Sequence, residues 1–152
     1  IRLPERLITI NLAPAMLQKK DVLFDVPIAL AILQAAKLLE MPQVFIDETL
    51  FLGELSLDGT IRPICGVLSI AHAANSFGKK RLVIPKENLQ EASLIQGLEL
   101  IGVQNLIELV AYLRGELKIE PTQSRFHDFN QKITTHELDF SQVKGQMAAK
   151  RA

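Results

Sequence analysis

The sequence lacks the features expected of a secreted, membrane-embedded or strongly charged protein. Its single cysteine, Cys65, excludes a disulfide within the chain, so a reducing compartment such as the cytoplasm is the simpler expectation. The longest apolar run, residues 26–33, is too short to span a bilayer, and no signal-peptide pattern is visible. Formal net charge is zero, with 17 basic and 17 acidic residues, which gives no overall attraction to nucleic acid or membranes.

Common catalytic and metal-binding signatures are also missing from the sequence. No GxxxxGK[ST] loop is present to hold phosphates, and no Gly-rich elbow presents a serine. His127 and His136 have no cysteine or carboxylate at ligand spacing, so we expect no metal site, and we interpret His72 as a half-buried helix residue. Four serines are interpreted as ordinary turn and helix-surface residues: Ser56, Ser69, Ser76 and Ser93.

Three further groups of residues could carry chemistry. Cys65 lies at the start of a predicted helix, which could lower its pKa, but a small buried residue at a tight turn is the favoured interpretation. Lys79, Lys80 and Arg81 could contact a phosphate backbone, or form a solvated corner between a helix and a strand. Paired carboxylates could serve acid–base chemistry, although turn-forming or solvated roles are favoured, at Asp47, Glu48, Glu54 and Asp58.

What the sequence does contain is a pattern of alternating strands and helices. Hydrophobic residues make up 48% of the chain, enough for a core. The predicted elements are a strand at 6–12, a helix at 26–39, a strand at 50–55, a hairpin turn at Asp58-Gly59 with a return strand at 60–63, a helix at 66–77 ended by Gly78, a strand at 81–84, a helix at 85–96 ended by Gly97, a strand at 98–103, and a helix at 106–114 capped by Asn105. This order predicts an α/β fold with parallel strand pairing.

The pattern also predicts three regions along the chain. Residues 1–115 form one domain, residues 116–138 are polar and poorly periodic and are interpreted as a linker, and residues 139–152 begin a second, truncated domain. We therefore interpret the chain as an excised piece of a longer protein.

Three motifs occur in an order that identifies a family. They are NLAPA at 11–15, LGELSLDG at 52–59 and IPKEN at 84–88. Together they resemble the amino-terminal domain of the Mg-chelatase-like AAA+ family of the ComM/YifB type. That domain is similar to the proteolytic domain of Lon proteases and to the carboxy-terminal domain of the repair protein RadA. The resemblance implies a two-layer α/β fold like domain 2 of ribosomal protein S5, with its first strands preceding Ile1.

The resemblance to Lon can be examined at the two catalytic positions. Lon proteases use a serine nucleophile and a lysine base, one of the variants of triad chemistry. The resemblance puts the serine position at about Leu23, ahead of the first long helix, and the lysine position at about Ile70. Leucine and isoleucine can neither attack a carbonyl nor move a proton, so we expect no peptidase centre.

A second resemblance concerns the end of the chain, DFSQVKGQMAAKRA at 139–152. It resembles the entrance to the AAA+ module of the same family, where a strip corresponding to Val143, Lys144, Gly145 and Gln146 lies close to the nucleotide base. The Walker A loop would follow Ala152, so the resemblance implies ATP and Mg²⁺ for the full-length parent and no cofactor for this piece.

The expected function is that of a non-catalytic amino-terminal domain. The resemblance implies a parent that is a homo-hexameric AAA+ motor, binding and hydrolysing ATP and acting on DNA in natural transformation and recombination. The domain itself would engage substrate, assemble the ring or regulate the motor, with its own AAA+ module and DNA as partners. Two alternatives stay open: a Lon-like serine-lysine peptidase, and a nucleic-acid-binding module centred on the basic triplet.

Overall fold

The computed structural model describes residues 7–11 and 22–122. A one-turn 3-10 helix at Val22–Phe24 precedes the first α-helix, and another lies at Lys86–Asn88. In chain order the remaining elements are α1 (Asp25–Ala35), α2 (Gln43–Glu48), β1 (Thr49–Phe51), β2 (Glu54–Leu55), β3 (Ile61–Arg62), α3 (Val67–Ser76), β4 (Arg81–Pro85), α4 (Leu89–Ala92), β5 (Glu99–Val103) and α5 (Leu106–Leu113).

A three-stranded parallel sheet in the order β1-β4-β5 organises the described residues. Leu50 and Leu100 flank Leu82 in register, and all three strands run in the same direction. The other two strands, β2 and β3, form a separate antiparallel hairpin. This arrangement confirms the predicted α/β class with parallel pairing.

Apolar clusters with helices lie on both faces of the parallel sheet. Along β4, Val83 faces one cluster, whereas Leu82 and Ile84 face the other. Helices α1 and α5 cover the Val83 face, and α3 and α4 cover the opposite face. Among the described residues, helices thus cover both faces of the parallel sheet, and the two-layer arrangement implied by the family resemblance stays a prediction. A fold like domain 2 of ribosomal protein S5 stays a prediction.

The hairpin turn and the two helix ends predicted from local residues are confirmed. The hairpin reverses where predicted: Gly59 adopts φ +87° and its N–H donates to Ser56 O over 2.9 Å. Gly78 (φ +73°) ends α3, and its N–H donates to Asn75 O. The side chain of Asn105 caps α5 by accepting the Glu108 N–H at 2.8 Å.

Several predicted boundaries were wrong. Residues 7–11 form no strand and lie exposed, so the described part of the strand predicted at 6–12 is absent. Helix α1 ends at Ala35 rather than at 39, because Lys37 turns into the left-handed region at φ +57° and Leu39 folds back into the core. The helix predicted at 85–96 is reduced to a 3-10 turn and the four residues of α4.

The strand predicted at 50–55 divides between the two sheets at Gly53. A Cβ at this glycine would lie 2.7 Å from Ile61 Cγ2 and 2.9 Å from Val26 Cγ2, closer than packed side chains allow. Its N–H donates to Leu23 O, and its carbonyl accepts the Val26 N–H. Gly53 thus joins β1 to the start of α1 and lets the chain leave the parallel sheet for the hairpin.

The described part of the predicted linker lies against the sheet. Ile119 packs on the cluster shared by α1 and α5, and the Thr122 N–H donates to Leu100 O over 2.8 Å. Thr122 thereby pairs with β5 in an antiparallel bridge. The division into regions at residues 115 and 138 stays a prediction. None of the helices in the described ranges has the length and apolar character needed to cross a membrane.

Gly102 provides a test of the packing between α4 and the sheet. A Cβ at this strand position would lie 2.3 Å from Leu89 Cδ1 and 2.8 Å from Leu89 Cγ. We expect Gly102→Ala to lower the free energy of unfolding by about 1–3 kcal/mol, because the new methyl forces α4 away from the sheet. Chemical denaturation measures the change. In Gly102→Ala/Leu89→Ala the clash is gone, so the two losses should not add; strict additivity would contradict this contact.

Candidate functional site

Leu23 and Ile70 lie against the same apolar cluster. Leu23 is in the 3-10 turn directly ahead of α1, and Ile70 is in the second turn of α3. Both are half-buried and pack on the cluster that contains Leu82, Ile84 and Leu100. The two positions at which the Lon resemblance expects a serine and a lysine thus pack on one cluster, and that correspondence itself stays a prediction. Aliphatic side chains at both offer neither a nucleophile nor a base.

A shallow apolar groove lies beside Ile70. It has a volume of about 430 Å³, and Leu50 of β1 and Ile70, Ala73 and Phe77 of α3 and its end contribute to its lining. Lys79 is the one charged residue among those that line it. Phe77 is 84% exposed, an unusual position for a large aromatic side chain. We call this feature the α3 groove. Its lining is apolar apart from Lys79 and Ser69.

A buried amide fixes the turn that leads into α3. The Asn88 side chain accepts the Ile64 N–H at 3.0 Å and donates to the Ile64 carbonyl at 2.9 Å. Asn88 is the last residue of the IPKEN motif, and it is buried. With both main-chain groups of Ile64 held, the turn passes through Gly66 (φ +75°) into α3. The role of the motif's asparagine is therefore to position this turn.

Cys65 lies in the same turn and is exposed, which corrects the interpretation of a buried residue. The backbone explains the difference: Asn88 draws Ile64 inward, so its neighbour points to solvent. His72 is also exposed rather than half-buried. Among the serines, Ser93 is buried and its Oγ donates to the Gln90 carbonyl, so its role is structural.

The basic triplet faces acidic residues of the same domain. Glu48, at the end of α2, forms ion pairs with Lys80 and, at 3.3 Å, with Arg81. Arg81 also pairs with Glu99 at 2.8 Å, and its guanidinium lies 5.2 Å from the centre of the Phe45 ring. The hydrogen bond from Lys80 holds the pKa of Glu48 below its ordinary value of 4.5, with help from the two positive charges. Sequence reasoning missed these pairs because Glu48 lies 32 residues from Lys80 and 33 from Arg81, and Glu99 lies 18 residues from Arg81.

The third member of the triplet is bound differently. Lys79 Nζ donates to the main-chain carbonyl of Asp47 over 2.5 Å. No carboxylate among the described residues pairs with Lys79, so its charge is not neutralised locally. Two of the three charges proposed for a DNA contact are thus partly compensated, and the contact with DNA stays a prediction.

The remaining predicted site residues have different outcomes. Val143, Lys144, Gly145 and Gln146 lie outside the described residues, as do His127 and His136. Within residues 7–11 and 22–122, no group of three or more histidine, cysteine, aspartate or glutamate side chains could hold a metal ion. The described residues thus define an α/β domain with an apolar groove beside α3.

Comparison with known proteins identifies the family. The family of subunit ChlI of Mg-chelatase matches residues 1–88. Competence protein ComM of Haemophilus influenzae is 37% identical over 153 residues, which cover 98% of this chain and 29% of ComM. The uncharacterized protein YifB of Escherichia coli is 36% identical over 148 residues, 97% of this chain and 28% of YifB. The chain belongs to the Mg-chelatase-like family of the ComM/YifB type.

A more distant relationship connects the chain to a peptidase family. Lon protease 2 of Bacillus subtilis is 39% identical over 87 residues, which cover 54% of this chain and 15% of the protease. The chain spans less than a third of the length of ComM or of YifB. Similarity to both groups agrees with the predicted Lon-like character of the domain.

The Asn88 amide supports a stability prediction. Asn88→Ala leaves the buried Ile64 N–H and carbonyl without partners, and we expect the free energy of unfolding to fall by about 2–4 kcal/mol. Urea denaturation measures the loss. Gln90→Ala, an exposed substitution two residues away, should change stability by less than about 0.5 kcal/mol. Equal effects of the two substitutions would contradict the proposal that the Asn88 side chain holds this turn.

The ion pairs of Glu48 support a pH prediction. A carboxylate whose folded pKa is lowered stabilises the fold above its unfolded pKa, and this contribution is lost as pH falls through the folded pKa. As the pH is lowered below about 4.5, we expect the melting temperature of the wild-type domain to decrease. In Glu48→Gln this decrease should be smaller. Differential scanning calorimetry from about pH 3 to 7 checks this. Glu120→Gln is the control. The Glu120 side chain pairs with Lys118 but is 83% exposed, so this variant should show the wild-type dependence of melting temperature on pH.

Proposed function

We propose that this chain is the amino-terminal, non-catalytic domain of a Mg-chelatase-like AAA+ ATPase. The observation that carries the proposal is the pair Leu23 and Ile70: both positions expected for a Lon-type catalytic pair are aliphatic, and both side chains pack on one apolar cluster. A peptidase centre needs a nucleophile within hydrogen-bond reach of a base. The Lon-like peptidase is therefore the disfavoured alternative, despite the similarity to Lon protease 2.

Family membership supports a proposal for the activity of the parent. We propose that the full-length protein binds and hydrolyses ATP with Mg²⁺, assembles as a homo-hexamer in the cytoplasm and acts on DNA during natural transformation and recombination. Support comes from the relative named competence protein ComM and from the segment at Val143, Lys144, Gly145 and Gln146, which resembles the entrance to an AAA+ module. The domain contributes by engaging substrate, assembling the ring or regulating the motor.

The nucleic-acid-binding alternative has weaker support. Lys80 and Arg81 are paired with Glu48 and Glu99, so a phosphate would have to compete with carboxylates already in place. Exposed ion pairs contribute little stability, and such competition is therefore not prohibitive. If alanine at Lys79, Lys80 and Arg81 leaves DNA affinity of the full-length protein unchanged at low and moderate salt, the triplet is not a DNA contact.

Two measurements test the main proposal. We expect the gene to encode a GxxxxGK[ST] loop downstream of residue 152, and the protein containing it should turn over ATP until its Walker lysine is replaced by alanine. The 152-residue chain alone should show neither ATP turnover nor labelling by a fluorophosphonate, with an active Lon-type domain labelled in parallel as the control. Labelling that disappears when one of its serines becomes alanine would overturn the non-catalytic assignment.

A further inference from the structure

The tip of the β2–β3 hairpin presents a large apolar side chain to solvent. Leu57 is fully exposed, although leucine is among the residues most often buried. A single exposed leucine is ordinary on a protein surface, so its significance depends on how it is held and on what it could meet.

The backbone holds this tip rigidly. Within the turn, the Ser56 N–H donates to Thr60 O at 2.9 Å, and the Thr60 N–H donates to Asp58 Oδ1 at 3.0 Å. Two further bonds tie the hairpin to the start of α5: the Leu106 N–H donates to Gly59 O at 2.9 Å, and the Ile61 N–H donates to Gln104 O at 2.8 Å. A backbone fixed in this way loses little conformational freedom when the tip binds.

Asp58 adds a charge next to the exposed leucine. Among the described residues its carboxylate forms no ion pair, and the hydrogen bond from the Thr60 N–H keeps its pKa below the ordinary value of 3.8. The tip therefore combines one leucine with one adjacent negative charge.

The α3 groove has the complementary character. It is apolar, its volume of about 430 Å³ is ample for a leucine side chain, and its one charged lining residue is Lys79. Lys79 lacks a carboxylate partner among the described residues, and Asp58 forms no ion pair there, although the positive charge of Arg62 acts on its carboxylate from a greater distance. The two surfaces are therefore complementary: each is mainly apolar, and their charged residues have opposite signs.

The hairpin tip and the α3 groove lie at opposite ends of the parallel sheet. The hairpin is bonded to Gln104, just after the carboxyl end of β5, whereas Lys79 lies just before the amino end of β4. Because parallel strands share their ends, the two surfaces cannot meet within one copy. A contact between them joins the head of one copy to the tail of the next, and repetition of such a contact produces a ring or a filament.

We propose that the α3 groove binds the hairpin tip of a second copy of this chain, with Leu57 against Ile70, Ala73 and Phe77 and Asp58 paired with Lys79. The contact is a property of the domain itself, and its place in a hexameric ring rests on the function proposed above. Each interface buries one anchor residue, so it is weak by itself and becomes effective when several copies are linked.

Site-directed disulfide formation tests the contact. In a Cys65→Ser background, Leu57→Cys chains mixed with Ala73→Cys chains should form the mixed disulfide under mild oxidation, and a chain carrying both cysteines should form a ladder of oligomers. His72→Cys, which is exposed on the same helix but does not line the groove, is the matched control. Equal cross-linking at residues 72 and 73 would overturn the proposal.

The charge pair is tested by removing each charge in turn. Adding Asp58→Asn, which keeps the Oδ1 acceptor for the Thr60 N–H, to the Leu57→Cys chain, or Lys79→Gln to the Ala73→Cys chain, should each slow cross-linking by about 2- to 5-fold, and the two losses should not add when the altered chains are combined. Circular dichroism checks that each variant is folded. Strict additivity of the two losses, with both variants folded, would refute the pairing.

A last comparison separates this contact from the function of the parent. At high protein concentration the chain without added cysteines should associate in sedimentation experiments, and its failure to do so would contradict the inference. Leu57→Ser should abolish this association, whereas Ile107→Ser, at another exposed apolar residue, should not. Neither result depends on ATP or on residues beyond Ala152. Association that persists in Leu57→Ser would contradict the inference and leave the ATPase assignment untouched.

Discussion

The burial of β4 on both faces and along both edges is the constraint on which the described structure depends. Leu82, Val83 and Ile84 are completely buried, and β1 and β5 pair with the strand on either side. Alternate side chains of one short strand thus supply both apolar clusters, so a helix is needed on each face. The same requirement brings Leu23 and Ile70 onto one cluster and fixes Asn88 directly after the strand.

Elements specified by local chemistry could be predicted from the sequence. Asp58-Gly59 reverses the hairpin, Gly78 ends α3 and Asn105 caps α5, because each acts through its own backbone conformation or a neighbour within four residues. The limits of other elements depend on distant contacts. The predicted strand breaks at Gly53, where Ile61 and Val26 of α1 leave no room for a Cβ; a glycine within a strand pattern indicates such a break but not which residues approach it.

In the candidate site, too, some features depend on local sequence and others on distant contacts. That residues 23 and 70 are aliphatic is visible in the sequence, but their contact with a common cluster depends on the path of the chain between them. The exposure of Cys65 follows from the amide of Asn88, and the ionic partners of Lys80 and Arg81 come from α2 and β5. Neither the exposure of Cys65 nor these ion pairs could be predicted, because hydrophobic periodicity indicates which side of an element is apolar and not which distant polar group that element contacts.

The bridge between Thr122 and Leu100 has a mechanical consequence. The chain leaves the described domain along the outer edge of β5, held there by the Thr122 N–H and by the packing of Ile119. Tension applied to the chain beyond residue 122 therefore reaches the sheet through this edge before it reaches any helix. In a protein whose downstream part moves, the strain would be felt first at β5, the strand that carries the α5 cap and supports the hairpin tip.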